Sequence, residues 1–123
     1  MSPRAASATA HELSRIGLLA ELPGEVLARL AARMRREDVA SGKGVVMEGE
    51  RDDRFYVVLA GMFAVSQSSM GARRVLRPGD YFGEVAPTMN VPRTATVRAL
   101  TPGTVASCDR ETFDEVIRPL FGG

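Results

Sequence analysis

LRPGDYFGEVAPTMNVPRTATVRAL, residues 76–100, is the stretch on which the fold turns. It opens with a turn at Pro78-Gly79-Asp80 and then sets a glycine directly ahead of a carboxylate, Phe82-Gly83-Glu84. Gly83 lets the main chain come close to a ligand because it carries no Cβ. The segment from Glu84 to Met89 is long enough for one helical turn, with Pro87 limiting it. The first N–H groups of such a turn, on Glu84, Val85 and Ala86, would lack intrahelical partners and attract an anion. Pro92 presets the backbone ahead of Arg93, whose planar guanidinium suits phosphate oxygens and stays charged at any working pH. An ionised Glu84 only accepts hydrogen bonds, so beside an anion it is aimed at a hydroxyl. A phosphate and a hydroxyl held side by side point to a nucleotide or sugar phosphate.

Outward from this stretch the pattern is of strands. Val39, Val45-Val46-Met47, Phe55 to Ala60, Phe63 with Val65, Val75-Leu76, Thr94 to Ala99 and Thr104 to Cys108 are short apolar or alternating pieces. Glycines at 42, 49, 61 and 79 punctuate them as turns. About eight short strands at such spacing predict a β-sandwich or barrel. Ser66 to Gly71 reads as a hairpin loop, and Phe55, Tyr56 and Phe82 as core. At the N-terminus, Thr9 followed by Glu12 has capping-box spacing and predicts a helix from about Ala10 to Gly17. Pro23 starts a second helix to about Met34, with Val26, Leu27, Leu30, Ala31 and Met34 at helical spacing. Asp109 caps a last helix through Phe113, Val116 and Ile117, which Pro119 is expected to end or kink.

The residues quoted closely resemble the phosphate-binding cassette of cyclic nucleotide-binding domains. That is the family of the catabolite activator protein, protein kinase A regulatory subunits and cyclic nucleotide-gated channels. Its pattern is F-G-E-x-A, a spacer, then P-R-x-A-T/S-V. Here it reads Phe82-Gly83-Glu84-Val85-Ala86 and Pro92-Arg93-Thr94-Ala95-Thr96-Val97. Leu18 to Pro23, Gly42, Glu48-Gly49-Glu50, Asp53, Tyr56 to Gly61 and Leu76 to Asp80 follow the family's order, so the resemblance covers about residues 18 to 117. Pro87 and Thr88 depart from the apolar pair usual there.

The resemblance implies a mainly β fold: an eight-stranded β-roll, or jelly roll, with N-terminal helices, a short cassette helix and a short C-terminal helix. The organisation it gives is a flexible N-terminus over 1–9 and one domain over 10–123. Helices would occupy 10–36, the roll 37–109 and the last helix 110–120. It implies a regulatory domain that binds a cyclic nucleoside monophosphate, cAMP before cGMP, and moves its flanking helices in response. The implied ligand-binding residues are Phe82, Gly83, Glu84, Val85, Ala86, Pro92, Arg93, Thr94 and Ala95. Gly83 would line the ribose phosphate, Glu84 would accept from the ribose 2′-OH, and Arg93 would pair with the exocyclic phosphate oxygens. Thr94 follows the arginine as in some guanine-preferring relatives, and in some adenine-preferring ones too. A longer C-terminal helix covers the base in many relatives, and this chain stops short of it. Two alternatives keep the same roll: a ligand-free interaction module, and the sensor fragment of a transcription factor or channel.

Composition narrows the classes further. The chain has 123 residues, enough for one core, and 45% of them are hydrophobic. A formal net charge of +1 gives no bulk argument for nucleic acid. Arginines cluster at 33, 35 and 36 and again at 73, 74 and 77, where a solvated face is the plain reading. One Cys and one His preclude an internal disulfide and a metal cluster built on them. With no 18-residue apolar run and no signal-peptide core, a cytoplasmic chain without a membrane span is expected. The sequence shows no nucleophile–base pair, so a non-enzyme without cofactor is expected, coupled to a fused or associated effector and compatible with an oligomer.

Overall fold

Residues 7–69, 71–84 and 92–121 of the chain are described by a computed structural model, apart from the side chains of Ala72 and Arg73. Eight strands are found among these residues: β1 (Arg35–Val39), β2 (Gly44–Val46), β3 (Phe55–Ala60), β4 (Phe63–Gln67), β5 (Gly71–Leu76), β6 (Tyr81–Phe82), β7 (Thr96–Ala99) and β8 (Gly103–Cys108). They form two antiparallel four-stranded sheets, ordered β1-β8-β3-β6 and β2-β7-β4-β5. The eight-stranded roll is therefore as the sequence predicted.

Strand β3 explains the arrangement of the core. Its alternation sends Phe55 and Val57 into one apolar cluster and Tyr56 and Val58 into another. The first cluster joins β3 and β8 to the helices through Leu13, Leu30, Phe113 and Ile117. The second draws on both sheets, with Val58 and Val105 from one and Val46, Phe63, Leu76 and Val97 from the other. A strand buried on both faces has no polar face to show, which is why Phe55–Ala60 reads as an unbroken apolar run.

The turns hold the glycines that the sequence marked. Gly42, Gly49, Gly61 and Gly79 all have positive φ, at 87°, 91°, 82° and 99°. At Gly61 space is restricted as well: a Cβ would lie 2.6 Å from the Gly103 Cα and the Pro102 oxygen. The β3–β4 and β7–β8 turns therefore pack backbone against backbone.

Several boundaries differ from the sequence reading. Ser7 bridges to Arg35, Ala8 is buried and donates its N–H to the Met34 carbonyl, and Thr9 caps α1 (Ala10–Ser14). Residues 7–9, read as part of a loose terminus, are thus tied down. The capping box is present, with Thr9 and Glu12 each accepting the other's backbone N–H. The helix α1 is nevertheless shorter than Ala10 to Gly17, because the chain breaks into successive turns after Ser14. The second helix, α2 (Gly24–Ala32), takes Pro23 as its cap. Strand β1 starts at Arg35, inside the region assigned to helices, because it is an edge strand of charged residues with no apolar alternation to betray it. Arg36 pairs there with Glu12 at 3.1 Å, and Arg33 with Glu115 at 3.0 Å. The loop read over Ser66 to Gly71 is narrower, since Ser66, Gln67 and Gly71 belong to β4 and β5. The cassette helix lies, from Val85 onward, outside the described residues.

The C-terminal helix continues through Pro119, so of the end or kink expected at the proline, the end does not occur. It consists of Arg110–Thr112, a π-helical turn over Phe113–Ile117, and Arg118–Phe121. In the π turn the Arg118 N–H reaches back five residues to the Phe113 carbonyl. The widened turn directly precedes Pro119, giving room for a ring that would crowd the carbonyl four residues back in a regular helix. Asp109 caps the helix, its Oδ1 accepting the Thr112 N–H at 2.9 Å. That backbone hydrogen bond holds the Asp109 carboxyl below the ordinary carboxylate value. Asp109→Ala should cost about 0.5–2 kcal/mol at pH 7, read by chemical denaturation. The folded pKa is the lower one, so the ionised cap contributes fully above the unfolded value near 4. Its advantage over the alanine variant should shrink as pH falls through the lowered value.

Candidate functional site

Arg93 is the one charged residue among the described residues that is buried, at 6% exposure. Its backbone is fixed on both sides: the Gly49 N–H donates to the Arg93 carbonyl, and the Arg93 N–H to the Glu50 carbonyl, both at 2.8 Å. The following residues are held too. Gln67 Nε2 donates to the Thr94 carbonyl at 2.8 Å, and the Glu48 N–H to Thr96 Oγ1 at 2.9 Å. Glu48 also accepts from the Ser68 N–H and hydroxyl, joining the β2–β3 loop to the β4–β5 hairpin.

The guanidinium of Arg93 is positioned by a set of partners behind it. Nη2 donates to the Arg54 carbonyl at 2.6 Å and lies 3.5 Å from Asp52 Oδ1. Asp52 in turn accepts the Arg54 N–H at 3.0 Å and the Tyr56 hydroxyl at 3.1 Å. The Tyr56 ring lies under Arg93 at 5.7 Å and stacks on Phe82 at 4.8 Å, the two planes 2° apart. Burial, with the Asp52 charge and hydrogen bond, pushes the Tyr56 phenol up to about 12, so it remains a donor to Asp52 at neutral pH. Arg93 Nε is buried and has no hydrogen-bond partner among the described residues. An unpaired buried donor on a cation is costly, and the cost falls when an acceptor arrives.

Seven of the nine residues expected to bind ligand come together here. Phe82, Gly83, Glu84, Pro92, Arg93, Thr94 and Ala95 line one cavity of about 160 Å³, floored by Val46, Val65 and Val97 and flanked by Arg74. Val85 and Ala86 lie outside the described residues. Gly83 has φ +94°, and a Cβ on it would meet the Arg54 oxygen and Arg93 Nη1, each at 2.8 Å. Gly83→Ala should therefore lower stability by about 1–2 kcal/mol from its backbone conformation alone, as read by thermal melting. Grooves elsewhere, at His11 to Gly79 and at Asp38 to Thr104, carry no buried charge on their walls.

Asp52 is not singled out by the sequence reading, which names only its neighbour Asp53, for its place in the family's order; Asp53 is exposed. Carrying the β3 alternation back from Tyr56 puts Asp52, not Asp53, on the ring's side of the strand. No group of three or more His, Cys, Asp or Glu suited to a metal occurs among the described residues. Cys108 is buried, and burial pushes its thiol up to about 12, which leaves it unreactive. Among the described residues no helix is long and apolar enough to cross a membrane.

Comparison with known proteins converges on this fold. The family model for the cyclic nucleotide-binding domain matches residues 36–119. A cAMP-dependent protein kinase regulatory subunit of Debaryomyces hansenii is 35% identical over 107 residues, 87% of this chain and 24% of that protein. The cGMP-dependent protein kinase egl-4 of Caenorhabditis briggsae is 32% identical over 114 residues, 88% of this chain and 15% of that one. The regulatory domain of Toxoplasma gondii PKA, solved with cAMP, superposes with a TM-score of 0.84 at 27% identity. The superposition covers 90% of this chain and 44% of that one. The chain thus spans a quarter or less of these two sequence relatives.

Proposed function

The chain belongs to the cyclic nucleotide-binding domain family, and on that ground we propose that it is a regulatory domain whose cavity binds a cyclic nucleoside monophosphate, cAMP first. The observation that carries the reading is Arg93, buried with an unpartnered Nε on the cavity wall. Arg93 pairs with the exocyclic phosphate oxygens, and Gly83 allows the backbone to approach them. Glu84 accepts from the ribose 2′-OH, and Pro92, Thr94 and Ala95 frame the phosphate beside Arg93. Phe82 anchors the wall through its stack on Tyr56. Val85 and Ala86 supply backbone donors to the phosphate in the same scheme.

Such a site holds its ligand and has no base set against a nucleophile, so it acts by binding alone. Ligand shifts the population toward the arrangement of the 82–95 segment that binds best, and the packed helices follow. The output passes to a fused or associated effector, in keeping with relatives far longer than this chain. Calorimetric titration of the chain with cAMP and with cGMP tests the reading. Saturable heat with a one-to-one end point supports it. No heat with either, and an unchanged melting temperature, would reject it in favour of a ligand-free interaction module.

A further inference from the structure

The main chain that orients Arg93 is itself held by a side chain. Pairing of β3 with β8 begins at Phe55 opposite Cys108, so Arg54 lies one residue beyond the ladder. Its carbonyl nevertheless accepts from Arg93 Nη2 at 2.6 Å, and its N–H donates to Asp52 Oδ1 at 3.0 Å. Both groups behind the Arg93 guanidinium therefore depend on where residue 54 sits. The Arg54 side chain is half-buried and crosses to β8, where Nε donates to Ser107 Oγ at 2.9 Å and Nη2 to the Ser107 carbonyl at 3.0 Å. Ser107 is buried on an inner strand, paired with Arg35 of β1 on one side and Tyr56 of β3 on the other. Two donors of one planar fork on one buried residue fix the direction of the side chain as well as its reach. Arg54 is not among the residues that line the cavity.

We propose that Arg54 is a positioning residue for nucleotide binding: by gripping Ser107 it sets the carbonyl and the Asp52 carboxylate that aim Arg93 into the cavity. This rests on the cyclic-nucleotide reading above. An arginine already aimed has less freedom left to lose when an anion arrives, so more of the pairing shows as affinity. Without the grip, residue 54 is tethered to β3 alone, Arg93 Nη2 loses a fixed acceptor, and the ligand must order the loop as it binds. A rival account makes Arg54 a positive charge that attracts the phosphate through space. Salt screens such an attraction between separated charges, and it leaves a hydrogen-bonded grip in place.

The test joins nuclear magnetic resonance of the free chain to calorimetric titration with cAMP. The Arg93 Nε–H signal, identified by its loss in Arg93→Ala, reports on the guanidinium before any ligand is present. Arg54→Ala is expected to move or broaden that signal and to weaken cAMP about ten- to a hundredfold, below the melting range of the variant. Arg54→Lys keeps the charge and loses the fork, so its affinity should fall between. Ser107→Ala leaves the Ser107 carbonyl in place and should lose less than Arg54→Ala. The double variant should bind no worse than Arg54→Ala alone, because the two side chains act as one unit. Should Arg54→Ala fail to fold, Arg54→Lys and Ser107→Ala carry the same reading. The loss should persist between about 0.05 and 0.5 M salt. A loss that fades with salt would make Arg54 a distant charge, and losses that add would separate Arg54 from Ser107. Unchanged affinity, or an unmoved Arg93 signal, would show that Asp52 holds Arg93 unaided; each of these overturns the proposal alone. Binding of neither cAMP nor cGMP by the unaltered chain would reject the cyclic-nucleotide reading itself, and this proposal with it.

Discussion

Arg93→Ala is expected to weaken cyclic nucleotide binding by about 2–5 kcal/mol, the range for removing one partner of a desolvated charge pair. In calorimetry this is a loss of roughly thirtyfold to several thousandfold, enough to take a micromolar ligand out of the measurable range. The effect is large because Arg93 is buried and already oriented by Asp52 and the Arg54 carbonyl, so little ordering is left for the ligand to impose. Removing it also leaves Asp52 without its cation, though the Tyr56 hydroxyl and the Arg54 N–H still bond to it. The fold should therefore survive the substitution. A variant that melts like the unaltered chain and still binds with unaltered affinity would remove Arg93 from the site.

Phe55→Ala should have the largest effect on stability, about 3–5 kcal/mol, the usual cost of emptying a buried aromatic site. Phe55 is fully buried and lies 5.2 Å from Phe113 and 5.8 Å from Tyr81, ring centre to ring centre. It connects the β3 strand to the C-terminal helix and to the strand that leads into Gly83. Denaturant titration measures the loss directly, and a cost below about 1 kcal/mol would show that the helical layer closes over the gap. The whole stability of a domain this size is commonly 5–15 kcal/mol, so the variant should sit near the limit of folding.

How far these features were legible before any coordinates depended on what each residue answers to. The glycine turns are dictated locally by backbone sterics, and Gly61, Gly79 and Gly83 adopt the positive φ that only glycine takes readily. Phe55–Ala60 announced a strand by composition, though its burial on two faces is a property of the packed sheets. Gly83, Glu84 and Arg93, which line one cavity, stood out in the sequence because each expected chemistry has few residue types able to supply it. Asp52 was not, because two adjacent aspartates differ only in which side of the chain they face. Strand β1 was hidden by its charge, since an edge strand with its residues facing water carries no apolar alternation. The π turn ahead of Pro119 could not be foreseen either, because it is a matter of register.

The double burial of β3 has a mechanical consequence. Phe55 and Tyr56 are adjacent residues on one stiff strand, one embedded among the helices and the other stacked beneath the cavity wall. The chain therefore has two oily interiors with β3 and its neighbour β8 set between them, since Val105 enters one cluster and Ala106 and Cys108 the other. The residue stacked on Phe82 is thus the immediate neighbour of one that packs in the layer holding the helices. Wall and helical layer are separated by no more than the thickness of one strand.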